Sequence, residues 1–124
     1  MAFEVEYTDE FEKWWNTLDE AGQATVDAYV RMLEEFGVAL GFPYSSDIKG
    51  SEYSQMRELR PQHKGKPYRV LYAFDPRRMA ILLIGGDKTG NSRWYEQFVP
   101  LADRLYREHL ETLEKENRKN GKII

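Results

Sequence analysis

Two strand-forming runs joined by a tight turn leave this chain few folds to choose from. From Tyr68 to Phe74, Tyr68, Val70, Tyr72 and Phe74 fall on one side, the period-two pattern of a strand. Met79 to Ile84 is apolar throughout, as expected of a central strand covered on both faces. Asp75-Pro76 begins the turn between them. A third run, Gln55 to Arg60, comes before them and is ended by Pro61. Three consecutive strands predict an antiparallel meander, in which the end of the first, the start of the second and the end of the third meet at one edge. Arg60 falls at that edge, with His63, Lys64 and Lys66 in the connecting loop. Arg69 opens the second strand, Lys88 leaves the third, and Arg93 and Tyr95 follow. Arg77 and Arg78 lie in the other turn, at the opposite end of the sheet.

The flanks predict helices. Phe3, Val5 and Tyr7 alternate with glutamates and read as one more strand. Asp9 with Glu12 resembles a capping box, and Phe11, Trp14, Trp15 and Leu18 then follow helical spacing, with the tryptophans packing on the sheet. Asp19 caps a second helix from about Glu20 to Leu40, whose Val26, Tyr29, Val30, Leu33 and Leu40 share a face. Glu34 and Glu35 read as a solvated surface. The two helices form a hairpin on one face of the sheet. Gly41 to Tyr53 is a loop with a short extended piece at Asp47 to Lys49, and Gly85 to Gly90 is a flexible exit. Ser92 caps a short turn through Phe98, and Pro100 opens a long helix to about Asn117. It carries Leu105, Leu110, Leu113 and a structural His109, and Asn120 to Ile124 fray. The expected class is α+β: a small, mostly antiparallel sheet, a helical hairpin on one face and a C-terminal helix, with residues 1–124 as one domain.

The net charge of −3 hides a segregation. Residues 1–53 carry three basic and twelve acidic side chains, and residues 54–95 carry nine basic and three acidic, giving −9 and +6. Salt screens charges beyond roughly 10 Å, so the local excess sets the partner, and it points to an anion. No cysteine is present, which excludes disulfides and thiolate metal sites. Two distant histidines make no zinc site. Gly85 to Gly90 lacks the glycine spacing of a phosphate-binding P-loop, and no serine sits in a Gly-x-Ser-x-Gly elbow. No cofactor and no metal is expected. No signal-like or membrane-spanning stretch occurs, so a soluble cytoplasmic protein is expected.

Cations, one imidazole and one phenol at a sheet edge suit phosphoryl transfer in RNA. The 2′-hydroxyl attacks its own phosphate, and fixed cations stabilise the charge that builds on the phosphoryl oxygens. A base must take the 2′-OH proton and an acid must protonate the leaving 5′-oxygen. His63, Tyr95 and a perturbed lysine are all candidates. A pure docking face for an acidic partner has no need of the imidazole and the phenol.

The order of elements resembles the RelE/HigB-like toxins of bacterial type II toxin–antitoxin systems. The resemblance is carried by MRELRP at Met56 to Pro61, KPYRVLYAF at Lys66 to Phe74, and ILLIGGDKTGNSRWYEQFVPLADRLY at Ile81 to Tyr106. The combination is similar to the phage-derived HigB-like branch. It implies a RelE-like fold and a metal-independent, ribosome-dependent mRNA endonuclease that leaves a 2′,3′-cyclic phosphate and a 5′-hydroxyl. It also implies a helix-turn-helix antitoxin that blocks the toxin. A gyrase-inhibiting, ParE-like toxin and a non-catalytic binding module are the alternatives. By motif position, Arg69 matches the arginine that holds the scissile phosphate, Arg60 and Lys88 match flanking basic residues, and Tyr95 loosely matches an aromatic. With His63 these make the expected catalytic set, and Arg57, Lys64, Lys66 and Arg93 the expected RNA contacts. Glu58 stands where several relatives carry a catalytic lysine, and a carboxylate there would either repel the phosphate or act as base.

Overall fold

The computed structural model describes residues 3–119; the expected frayed end at Asn120 to Ile124 lies outside them. Strand β1 (Val5–Tyr7) leads into helices α1 (Asp9–Trp15) and α2 (Glu20–Phe36), which a short 3-10 turn (Gly37–Ala39) follows. Then come β2 (Ser45–Asp47), β3 (Arg57–Leu59), β4 (Gln62–His63), β5 (Lys66–Phe74) and β6 (Ala80–Asp87), and finally α3 (Trp94–Lys119). The sheet order is β1-β6-β5-β3-β2, with β4 folded back on the start of β5. Among the described residues, only β1 runs parallel to its neighbour, β6.

The sheet divides two cores. Phe11, Val26, Leu33, Val70, Tyr72 and Leu82 pack between it and the α1/α2 hairpin. Met56, Leu71, Ile81, Leu83, Trp94 and Tyr106 pack between it and α3. Strand β6 is buried on both sides, which is why its sequence is unbroken apolar. A register shift opposite Leu71/Tyr72 leaves Leu83 without a partner on β5. Such a bulge resets side-chain alternation, and both Leu83 and Ile84 join the α3 core.

That reset decides which layer each residue of the double glycine faces. The Gly85–Asp87 stretch expected to be flexible is the last part of β6. A Cβ on Gly85 would stand 2.1 Å from the Trp14 ring, and one on Gly86 would stand 2.7 Å from Trp94 Nε1. The two indoles therefore clamp β6 from opposite faces. Trp14 also meets Tyr68 edge-on at 5.7 Å.

Other boundaries moved for local reasons. Thr8, not Asp9, caps α1, accepting from the Phe11 N–H at 3.0 Å. Asp19 caps α2 as expected, through the Gly22 N–H at 2.7 Å. Helix α2 stops at Phe36 because Gly37 turns to a φ of +54 against the Phe3 ring. The extended piece is β2, at Ser45–Asp47. Pro100 lies inside α3 instead of at its start. The N–H it lacks would have met the carbonyl of Glu96, an exposed residue whose carbonyl water can serve.

Two buried aspartates help pin helix α3. Asp103, 4% exposed, accepts from the Ser51 hydroxyl and the Glu52 N–H. Asp75, with its side chain fully enclosed, accepts from Arg77 Nε at 2.9 Å and Nη2 at 2.7 Å and bonds His109 Nε2 at 2.9 Å. Burial opposes its charge, but the Arg77 and His109 bonds outweigh that and hold its pKa below the usual carboxylate range.

Two outcomes are expected. Gly86→Ala forces Trp94 off β6 and should lower stability by about 1–3 kcal/mol, read from the denaturant midpoint. Asp75 is charged at a lower pH in the folded state than in the unfolded one, so its contribution is present above about pH 4 and is lost as pH falls through its depressed value. The stability gap between the protein and Asp75→Asn should therefore be largest near neutrality and shrink in acid.

Candidate functional site

Glu58 is the hub of a polar cluster on the α3 side of the sheet. It sits in β3 opposite Leu71 of β5 and Ser46 of β2. Pairing puts it on the same face as Leu71, under the first turn of α3, where it is 3% exposed. Its Oε1 accepts from the Tyr95 hydroxyl at 2.6 Å and lies 3.6 Å from Arg69 Nε. Its Oε2 accepts from the Ser46 hydroxyl at 2.7 Å and from Arg60 Nη1 at 2.8 Å.

Arg60 and Arg69 approach this carboxylate from β3 and β5, and Lys88 stands near it just past β6. Arg60 follows β3 and is partly exposed; Arg69 lies opposite Gly86 near the start of β5 and is buried. Its Nη1 donates to the Tyr68 carbonyl at 2.7 Å, while its buried Nε finds no hydrogen-bond acceptor among the described residues. Leaving a buried donor unmade costs about 1–3 kcal/mol. Lys88, just past β6, places Nζ 5.1 Å from the centre of the Tyr95 ring. Three cations around one carboxylate leave a local surplus of positive charge, with Arg60 and Lys88 more exposed than Arg69.

The surplus tunes the neighbours. Burial, and then repulsion from Arg69 and Arg60, push the Lys88 pKa below that of an ordinary lysine, with Glu58 working the other way. Burial and the bond to the Glu58 carboxylate push the Tyr95 phenol up, with Arg69 opposing. At neutral pH the phenol therefore donates to Glu58, and Lys88 is a better proton donor than a solvated lysine.

Of the expected set, Arg60, Arg69, Lys88 and Tyr95 are brought together and His63 is not. His63 lies in β4, takes part in a 2.7 Å hydrogen bond with Thr25 Oγ1 and stacks on Tyr68 at 5.6 Å. Tyr68 points to the helical hairpin, so His63 belongs to the opposite face. With Asp19, Lys64, Lys66 and Tyr68 it lines a separate hollow of about 370 Å³. Lys64 and Gly65, at φ of +50 and +78, form the two-residue turn between β4 and β5. The loop expected between two strands is itself a hairpin, and its fold-back carries His63 away from Arg69.

Arg57, opposite Tyr72, also faces the hairpin side and pairs with Asp47. Arg93 is exposed and pairs with Glu96 at 3.0 Å. Ser46 was not foreseen, since nothing in a loop serine shows that β2 will pair with β3. The place of Glu58 was visible in one respect: it is the acidic residue inside a strand otherwise flanked by Met56 and Leu59.

The architecture defines the class first. The fold is that of RelE-like toxins. The free-state structure of an Escherichia coli RelE mutant superposes with a TM-score of 0.56 at 12% identity, covering 77% of this chain and 94% of that one. The toxin–antitoxin complex RelBE2 of Mycobacterium tuberculosis gives 0.53 at 16% identity, covering 70% and 99%. The family follows from sequence. The profile described as "Phage derived protein Gp49-like (DUF891)" matches residues 13–107. Two Mycobacterium tuberculosis proteins, named as candidate toxins HigB2 and HigB3, are 42% and 44% identical over 82% and 75% of this chain. The aligned stretch spans 51% of the first, about half its length, and 81% of the second. The chain belongs to the Gp49-like family and is a HigB-like protein of RelE fold.

The cluster makes one electrostatic expectation. Glu58 opposes the depression of the Lys88 pKa, so Glu58→Gln should lower that pKa further. An NMR titration of the lysine ammonium checks it, and an unchanged Lys88 would mean that the two groups do not share a site.

Proposed function

We propose that residues 1–124 form a single toxin domain of a type II toxin–antitoxin pair that cleaves mRNA on the ribosome. The observation that carries this reading is the convergence of Arg60, Arg69 and Lys88 on one carboxylate, with Tyr95 beside them. The names of the HigB relatives support the toxin role, and the RelBE2 complex supports an antitoxin partner, for which we infer a helix-turn-helix protein. No helix among the described residues is long and apolar enough to cross a membrane, in keeping with action in the cytoplasm.

The reaction runs on side chains without a metal ion. A phosphate at the mouth of the cluster competes with Glu58 for Arg60 and draws that guanidinium onto its own oxygens. Glu58, released on one side, accepts the proton of the 2′-hydroxyl as that oxygen attacks phosphorus. The P–O5′ bond breaks, and Lys88 gives its proton to the leaving 5′-oxygen. The products are a 2′,3′-cyclic phosphate and a 5′-hydroxyl. Arg69, buried beneath, supplies fixed positive charge that gains as the phosphoryl oxygens become more negative. Tyr95 orients Glu58.

Induction of the chain without an antitoxin should arrest growth and cut translated mRNA. Lys88→Ala should slow cleavage by about 10²–10⁴-fold, the usual worth of a placed acid. As a proton donor with a depressed pKa, Lys88 should make the rate fall as pH rises through that value; Lys88→Arg should abolish that limb. Growth arrest with intact mRNA and inhibited DNA supercoiling would contradict the nuclease reading.

A further inference from the structure

Segment 36–44 exposes Phe36, Val38, Phe42 and Tyr44, and Phe42, at 76% exposed, is the barest large apolar side chain among the described residues. A lone exposed ring is ordinary. What distinguishes Phe42 is its neighbour, because the Arg60 guanidinium lies 5.1 Å from the centre of its ring. That same guanidinium reaches Glu58 Oε2 at 2.8 Å and Ser46 Oγ at 3.4 Å. The loop that carries Phe42 is tied to the end of β3, where the Arg60 N–H donates to the Tyr44 carbonyl at 2.9 Å. The ring thus stands at the rim of the Glu58 cluster, on the β2 side of Arg60. Its exposure leaves a face open to solvent.

We propose that Phe42 is a stacking platform for an unpaired RNA base next to the phosphate held at Glu58. The inference rests on the RNA-cleavage reading and names what that site holds besides the phosphate. Single-stranded RNA offers unstacked bases, and aromatic rings beside cations are the groups that bind them. One guanidinium serves both ends: it meets the phosphate at its edge and backs the ring that carries the neighbouring base. A phosphate that draws Arg60 off Glu58 therefore acts on a side chain already packed against the platform. Stacking reads a π-face and not a hydrogen-bonding edge, so the platform tolerates all four bases and adds grip more than sequence preference. The competing occupant is a partner protein, which would use the apolar row at Phe36, Val38 and Phe42 and gain nothing from the link to Arg60.

The test uses the full chain, ribosomes carrying an mRNA with a fluorescent purine beside the cleaved linkage, and the antitoxin. Wild type should quench the purine. Phe42→Ala should not, and should raise the half-saturating ribosome concentration about tenfold, the scale of one lost stacked base, with most of the loss in KM and not kcat. Phe42→Trp should restore both. If wild type binds and cleaves but Phe42→Ala does so equally well, the platform is wrong and the nuclease reading stands. If Phe42→Ala keeps RNA affinity and loses the antitoxin, the patch is a protein-docking surface and the platform is overturned. If wild type itself neither binds nor cleaves, both readings fall.

Discussion

A carboxylate buried among three cations is the interaction on which this site depends. Glu58 would be costly alone in a sheet, since a buried charge without partners pays a heavy desolvation penalty. Arg60, Ser46 and Tyr95 satisfy it directly, and Arg69 answers its charge from 3.6 Å. In return it holds together three strand ends and the first turn of α3, whose like charges would otherwise repel. The cluster is satisfied at Glu58 and strained at Arg69, whose Nε goes unpaired among the described residues.

The scaffold serves this arrangement. Two glycines let Trp14 and Trp94 pack closely on opposite faces of β6, and the bulge at Leu83 sets which glycine meets which indole. Trp94 is the first residue of α3, so clamping it onto Gly86 also places Tyr95, next in the helix, over Glu58. At the far end of the sheet, Asp75 ties the β5–β6 turn to His109 in the same helix. Helix α3 is therefore tied to the sheet at both ends of its contact with it.

Much of this was legible in the sequence because it follows local rules. Period-two alternation marked β5, the unbroken apolar run marked β6, and helical spacing with Asp19 as cap marked the hairpin. The meander then brought Arg60, Arg69 and Lys88 to one edge from residues 28 positions apart. What could not be read depends on pairing at a distance. His63 was placed with the arginines because β4 was taken for a loop; a two-residue turn at Lys64-Gly65 reverses its face. The double glycine was taken for flexibility, since the sequence does not show that two indoles from distant helices need the space. Ser46 joined the cluster only through a β2 that its three residues barely signal. Glu58 was noticed as a misfit, and the misfit proved to be the centre.

The most direct test is the structure of the protein bound to a short RNA made uncleavable by a methyl group on the attacking 2′-oxygen. The account predicts the scissile phosphate within hydrogen-bond distance of Arg60 and Lys88, with the Arg60–Glu58 contact lengthened. A phosphate seated instead in the hollow of His63, Lys64 and Lys66, on the other face of the sheet, would contradict it.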